Sequence, residues 1–502
     1  MANESTANIQ LGFTSAALKG DAAGMHLLGV HGQERISTLF EYELLLGRPG
    51  ELLTDTQLED IVSSPCAIAL GPNVSDVVHG MIIEIEHLDT SRYVAPRYLA
   101  MMVPELHLLT MGKRSAVYQN MNVRMLVEQV LDSYGLASGT HFEVLGTDAQ
   151  RSPQREYIVQ YQESDWDFIS RWLEREGYFY WFKHGKAGAC LVIADANDDV
   201  TAIGDPQQIS YREVNNIDSG GESTIFDFRV VQRRVPKKVT VVDYNYRHPA
   251  ERLVHTEKVS DTGFGNVFTY DNHFKDAEAG KLVAKTRAER HLAIQRTVRG
   301  STDCARFRVG HSFELENHHN SSYDGHYLIT SIDIKVGHEV ENARRPPTQG
   351  ASEDQHRFTC AFEALPLGVA FRPERVTPWP RVPSFITGHI EADTNGEYAQ
   401  IDKQGRYKVR MTFDTGTVRG LAASRWIRMS QSYAGAGYGE HYPLHKGTEV
   451  AIAHADGDPD RPVIIGATPN PLTKSPVTSS NATQSVIHTA SGIRVELEDM
   501  QS

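Results

Sequence analysis

Cysteine is scarce in this chain. Four occur in 502 residues, at Cys66, Cys190, Cys304 and Cys360, and no two form a CxxC pair. That excludes a zinc-ribbon spacing and a disulfide framework, and it fits free thiols in a reducing compartment. No run of 18 apolar residues occurs, so no transmembrane helix is expected. The opening MANESTANIQ has neither a basic region nor an apolar run, so no signal peptide is expected. A protein of this kind that leaves the cell would need a machine to carry it. Positive charge is also in deficit, 50 Lys and Arg against 64 Asp and Glu, a net of −14. Nucleic acid and anionic membrane surfaces are therefore poor partners, because both need a basic face. There is no GxSxG, HExxH or P-loop, and no Cys/His pair with motif support. AGAGYG (434–439) lacks the GK[ST] of a phosphate loop and reads as a flexible loop. Asp195, Asn197 and Asp199 have the first spacings of a calcium loop, but Val200 and Pro206 occupy the positions that need Gly and Glu, so a polar turn is expected. No catalytic, cofactor or metal site is expected.

Aromatic residues, in contrast, are concentrated. Residues 155–182 hold ten of them in 28, against 9% for the chain, so a dense core is expected there. Alternation from Tyr157 to Tyr161 predicts a strand. Ser164 then caps a helix, with Asp167 as a weak capping-box partner. Trp166, Ile169, Trp172 and Leu173 form its apolar stripe, and Gly177 ends it by taking a left-handed conformation. Tyr178 to Phe182 predicts a buried strand. Asp165 and Asp167 suit the first turn, where the helix dipole favours negative charge, and Glu174 and Glu176 are two apart and do not face each other. These acids read as structural.

Around this centre the pattern is mainly β, with some α. Short apolar or alternating runs fill 8–110, broken by Gly32, Gly47, Gly71, Pro72 and Gly80, and predict a barrel or sandwich. A helix follows Asn122, with Leu126, Val127, Val130, Leu131 and Tyr134 on one face and Gly135 as its stop. Residues 222–345 form a second strand-rich block, interrupted by a helix near 276–294 with Leu282, Val283 and Thr286 on one side. His318 and His319 are adjacent, and neighbouring strand residues point to opposite faces, so a solvated pair is expected rather than a chelate. Residues 361–385 carry five prolines and read as a stiff linker. Five short runs within 384–470 predict an OB-fold, with Val409, Met411 and Phe413 facing one way. DGDPDRP (456–462) reads as its last hairpin turn. After a second linker, Ile493, Val495 and Leu497 alternate with Arg494, Glu496 and Glu498.

YIVQYQESDWDFISRWLEREGYFYWF (157–182) resembles the signature of the VgrG family, the spike proteins of the bacterial type VI secretion system, which are similar to fused hub and spike proteins of contractile phage tails. DYNYRHP (243–249), HSFELENHHN (311–320) with YLITSIDI (327–334), GRYKVRM (405–411), SRWIRMSQSYAGAGYG (424–439) and TEVAIAHADGDPDRPVIIG (448–466) carry the resemblance on. Trp166, Trp172, Gly177, Trp426, Asp458 and Pro459 stand in these runs as fold-signature positions. The resemblance implies a hub over 1–375, with two β-barrel-like blocks at 8–110 and 222–345 around a mixed middle at 111–221. It further implies an OB-fold spike domain over 376–470, and a linker with the start of a trimeric β-helix needle over 471–502. The chain stops within a turn or two of the needle's start, so either a truncated needle or a very short one is expected, with no effector domain after it, and Ile493, Val495 and Leu497 are its trimer-packing candidates.

In function, the resemblance implies a non-enzymatic homotrimer that caps a hexameric tube of Hcp-type rings. Three subunits with two barrels each would present six similar modules to that tube. A PAAR-type tip on the full needle, effectors or their adaptors, and baseplate components are the implied partners; nucleic acid is not. Such a spike assembles in the bacterial cytoplasm and is then secreted or injected, puncturing a target envelope. The alternatives are the spike of a phage tail or of an extracellular contractile injection system, or a spike that also bears an enzyme. An OB module that binds oligonucleotides is disfavoured by the net charge.

Overall fold

The computed structural model describes residues 11–18, 24–70, 77–88, 95–146, 152–186, 188–212, 223–270, 273–337, 340, 358–393, 398–416 and 419–500. Gly71 and Pro72 lie outside the described residues. The chain divides into two compact units. One comprises Met1–Gly112, Val123–Pro153 and Asp165–Pro378; the other comprises Lys113–Asn122, Gln154–Ser164 and Trp379–Ser502.

The first unit is built on a mainly antiparallel sheet of thirteen strands. Six of them come from the first block, in the order Gly12–Ser15, Pro65–Ala69, Val77–Leu88, Arg97–Val103, Glu41–Gly47 and His26–Arg35. Period-two alternation buries Tyr42, Leu44 and Leu46 on one face of Glu41–Gly47. Gly32 and Gly80 lie inside strands rather than between them. A Cβ on Gly32 would stand 2.2 Å from the Tyr42 ring, and one on Gly80 would stand 2.5 Å from the Val103 carbonyl oxygen.

Six further strands close on themselves: Gln208–Tyr211, Thr224–Gln232, Arg296–Thr302, Thr359–Pro366, Gly325–Gly337 and His311–Glu316, the last pairing back to the first. Phe307, Phe313 and Phe362 fill this barrel, with ring centroids 5.0, 5.1 and 5.6 Å apart. Gly325–Gly337 is 13 residues long, and its second half runs on to pair with His26–Arg35. The two strand-rich blocks are thus joined by one continuous ladder.

Lys238–Asp243 does not enter the barrel. It pairs with Leu253–Lys258 and Asn266–Tyr270 in a small separate sheet covered by a helix, Ala277–Ala293. This helix buries Gly280, Ala284, Thr286 and Ala288, while Leu282 and Val283 are only half-buried. Small side chains let the helix backbone come close to Val239 and Val241, so of the expected side Thr286 is fully buried and Leu282 and Val283 are not.

The proline-rich stretch begins as a barrel strand, Thr359–Pro366. Residues 367–378 follow without regular structure but are held in place. The Asn197 side-chain amide donates to the carbonyls of Leu367 (2.8 Å) and Val369 (2.7 Å), and its oxygen accepts from the Phe371 N–H (3.0 Å). Arg372 donates to the Asp195 carbonyl at 2.7 Å. The run read as a polar turn is therefore a clamp on this segment.

The second unit has a four-stranded sheet in the order Lys408–Met411, Phe385–Glu391, Glu449–His454 and Pro462–Ala467. Ile390, Tyr407, Val409, Met411, Ile427, Val450, Ile452 and Ile464 form its core. Residues 424–432, expected as a fifth strand, contribute only single bridges, Tyr407 to Ile427 and Met429 to Ile464. The Ser424 hydroxyl accepts the Val409 N–H at 2.9 Å, so a side chain does there what a ladder partner would. Arg114–Tyr118 and Ile158–Glu163 pair antiparallel within this same unit.

Candidate functional site

Three features place the signature and packing residues: the aromatic helix, the DGDPDRP loop and the C-terminal hairpin. The helix Asp165–Glu176 is buried nearly all round, not along one stripe. Trp166 meets Tyr180 edge-on at 5.3 Å, and Trp172 is fully buried. The Arg171 guanidinium lies 5.4 Å from the Trp172 ring centroid. The polar face is buried rather than solvated. The Glu174 carboxylate accepts from the Thr377 N–H and, at 2.6 Å, from its hydroxyl, while burial raises its pKa. Arg175 and Glu176 pair at 3.2 Å. Gly177 has φ +82°, as its helix-ending role requires, and a Cβ there would come within 2.6 Å of the Thr286 methyl.

In the second unit, DGDPDRP is the turn between Glu449–His454 and Pro462–Ala467. Asp456 takes φ +53°. The buried Asp458 carboxylate accepts from the Asp460 N–H at 2.9 Å, and Pro459 is buried beside it. Asp460 in turn accepts the Val159 N–H at 2.6 Å. Sequence reasoning missed this last bond, since its partners stand 301 residues apart. Trp426 is half-buried, and the Lys408 ammonium lies 5.1 Å from its ring centroid. Burial lowers the Lys408 pKa.

Ile493 leads into Arg494–Glu498, which pairs antiparallel with Gln484–His488. The strand is therefore not isolated; its backbone has a partner within the chain. Its apolar row has no such cover: Ile493, Val495 and Leu497 are 66, 51 and 63% exposed. Ile487, opposite Val495, adds to the same face and was not singled out from sequence. A lone two-stranded hairpin with an uncovered apolar face is marginal in water.

Two expected loops differ from expectation. Ala434–Gly435 and Tyr438–Gly439 form a tight hairpin. His318 is buried against Tyr211 and Phe228, at 4.5 and 5.5 Å, and its ring centroid lies 4.1 Å from that of His319. Asn317, at φ +62°, ends the strand, so the opposite-face rule does not apply to the pair. Burial lowers the His318 pKa.

Residues 33–340 match the family model of the phage tail baseplate hub, and 398–468 match that of the type VI secretion system and phage-baseplate injector OB domain. Among curated proteins, the type VI secretion system spike proteins VgrG4b and VgrG1c of Pseudomonas aeruginosa are each 28% identical, over 90% and 92% of this chain. The chain spans 55% and 62% of their respective lengths. Among solved structures, the E. coli c3393 protein is described as a component of the type VI secretion system with structural similarity to the T4 bacteriophage tail proteins gp27 and gp5. It superposes with a TM-score of 0.65 at 20% identity, covering 91% of this chain and all of that one.

Proposed function

From the premise that this chain belongs to the phage tail baseplate hub family, we propose that it is the VgrG-type structural spike of a contractile injection machine. The observation that carries this reading is the order of its modules: a hub match over 33–340, an injector OB match over 398–468, then a hairpin with an uncovered apolar face. That face supports a homotrimer, because burying one such side chain contributes about 1.5–3 kcal/mol and two further copies supply the cover. The reading makes the trimer the cap of a hexameric Hcp-type tube. It also makes the trimer a carrier for a PAAR-type tip, for effectors or their adaptors, and a neighbour of baseplate components.

In this reading the matched region performs no catalysis; it transmits force and holds cargo. No described helix is long and apolar enough to cross a membrane. The reading has the protein assemble in the bacterial cytoplasm and leave it by the machine. Sedimentation of the full chain tests the proposal. A mass about three times 56.0 kDa is expected, and a monomer at high concentration would overturn the spike reading.

A further inference from the structure

One short run of the first unit is strongly basic. Arg233, Arg234, Lys237 and Lys238 fall within six residues that hold no acid, on a chain whose net charge is −14. The run leads into Lys238–Asp243, the middle strand of the small sheet. Alternation gives that strand two faces. Val239 and Val241 pack toward the helix Ala277–Ala293, and Lys238, Thr240 and Val242 face the other way. Across this open face, Lys238 stands between Lys258 and Asn266, Thr240 between Thr256 and Phe268, and Val242 between Val254 and Tyr270. The middle row is tied together, since the Thr240 and Thr256 hydroxyls lie 2.9 Å apart and Thr240 donates to the Asn266 Oδ1 at 3.1 Å. Phe268 and Tyr270 are 63 and 55% exposed beside it.

The cations at one end of this face outnumber their acids. Lys258 has Asp261 at 2.5 Å. Among the described residues, no carboxylate pairs with Arg234, Lys237 or Lys238. Arg234 lies instead 5.6 Å from the ring centroid of Phe264, which is 77% exposed on the loop before Asn266–Tyr270. Arg233 is engaged by the Ile294 carbonyl and the Thr297 hydroxyl. Asp243, at the far end of the middle strand, is buried and accepts from the Tyr244 and Phe274 amides. Like charges directly opposite on neighbouring strands are destabilising, so an anion over Lys238 and Lys258 would relieve that pair. The basic end and the Tyr270 end are four residues apart along the strand, about 13 Å at the rise of a β-strand.

We propose that this open face docks an extended segment of a partner protein, with acidic side chains at the Lys237–Lys238 end and apolar ones against Phe268 and Tyr270. Charge complementarity selects the first half, because carboxylates answer ammonium groups that have no acid of their own. The exposed rings select the second half, because they offer apolar side chains a surface to leave water on. A single-stranded nucleic acid could also stack on such rings. It carries charge along its whole length, however, and would meet the acidic surface of a −14 chain on either side of the patch. A peptide places its charge only where the lysines stand. The inference rests on this face alone, whether or not the spike reading holds.

Fluorescence anisotropy with the full chain tests it. The probe is a labelled, capped decapeptide of four glutamates, two glycines and four residues alternating leucine and phenylalanine. Its comparators carry lysine for glutamate, or serine for the apolar residues, and a further comparator is a ten-nucleotide oligothymidylate, all at physiological ionic strength. Saturable binding of the acidic and apolar peptide is expected, at least tenfold tighter than each comparator. Lys237→Glu with Lys238→Glu, and separately Phe268→Ser, should each weaken it at least fivefold. Lys281→Glu, on the exposed side of the helix, should leave it unchanged. Circular dichroism of each variant keeps loss of fold from being read as loss of binding. Equal binding of the lysine or the serine peptide would overturn the acidic or the apolar half, and oligothymidylate binding as tightly would overturn the peptide partner. Equal weakening by Lys281→Glu, no binding by the parent, or binding untouched in the folded variants would overturn the site.

Discussion

Gly177 and Gly135 follow helices with nearly the same backbone, φ +82° and +75°, but their surroundings differ. A Cβ at Gly177 would meet the Thr286 methyl at 2.6 Å and Arg372 Cδ at 2.9 Å, whereas one at Gly135 would meet nothing within 4 Å. Left-handed backbone costs a residue with a side chain about 1–2 kcal/mol, and overpacking adds about 1–3. Gly177→Ala should therefore lose about 2–5 kcal/mol in urea unfolding, and Gly135→Ala about 1–2. Equal losses would show that the Thr286 contact is not felt.

His454 sets a pH dependence. Burial, outweighing the attraction of Asp458, holds it at about 4, below the ordinary 6.5. As pH falls from 6.5 the unfolded chain takes up this proton first. The stability the neutral ring contributes is thus complete above about pH 6.5 and is lost as pH falls towards 4. Urea midpoints at pH 7 and pH 5 should differ less in His454→Gln than in the parent.

Among elements, the helix Ala277–Ala293 depends on small residues. Ala284 is almost fully buried against the small sheet, so Ala284→Leu should cost about 1–3 kcal/mol by overpacking, while Lys281→Leu on the exposed side should cost little. The terminal hairpin presents the opposite case, an apolar face with no cover. In the proposed trimer its few side chains would supply only part of the interface. Val495→Asp with Leu497→Asp should leave the trimer intact at micromolar concentration while residues 471–502 become protease-sensitive. A monomeric double variant would place the main interface in the tail instead.

For the whole molecule, the joined pair of six-stranded blocks bears on tube docking. Three copies would offer six such blocks to a hexameric ring. Cross-linking of an assembled tube should find contacts from residues within 1–375, and contacts made only from 376–470 would count against this arrangement.

Several features were determined by the sequence alone. The helices Val123–Asp132 and Asp165–Glu176 and the stop at Gly177 follow from periodicity and helix-end chemistry, which act over a few residues. The alternation that buries Val409 and Met411 is equally local. So is the mainly β class, and the long aromatic run was specific enough to carry the family resemblance. Tyr134 marks the limit of such reading: counted on the apolar face of its helix, it lies beyond the helix end, half exposed, and donates to Asp165. Only the tertiary structure decided that the acidic side of Asp165–Glu176 is buried, that Asn197 grips residues 367–371, and that Lys238–Asp243 leaves the barrel for a separate sheet. It alone showed that Asp460 holds the Val159 amide and that Arg375 comes beside Arg287, Arg290 and His291 of one helix. Each of these depends on partners far apart in the chain, and a charge or an amide carries no local mark of the group it will meet.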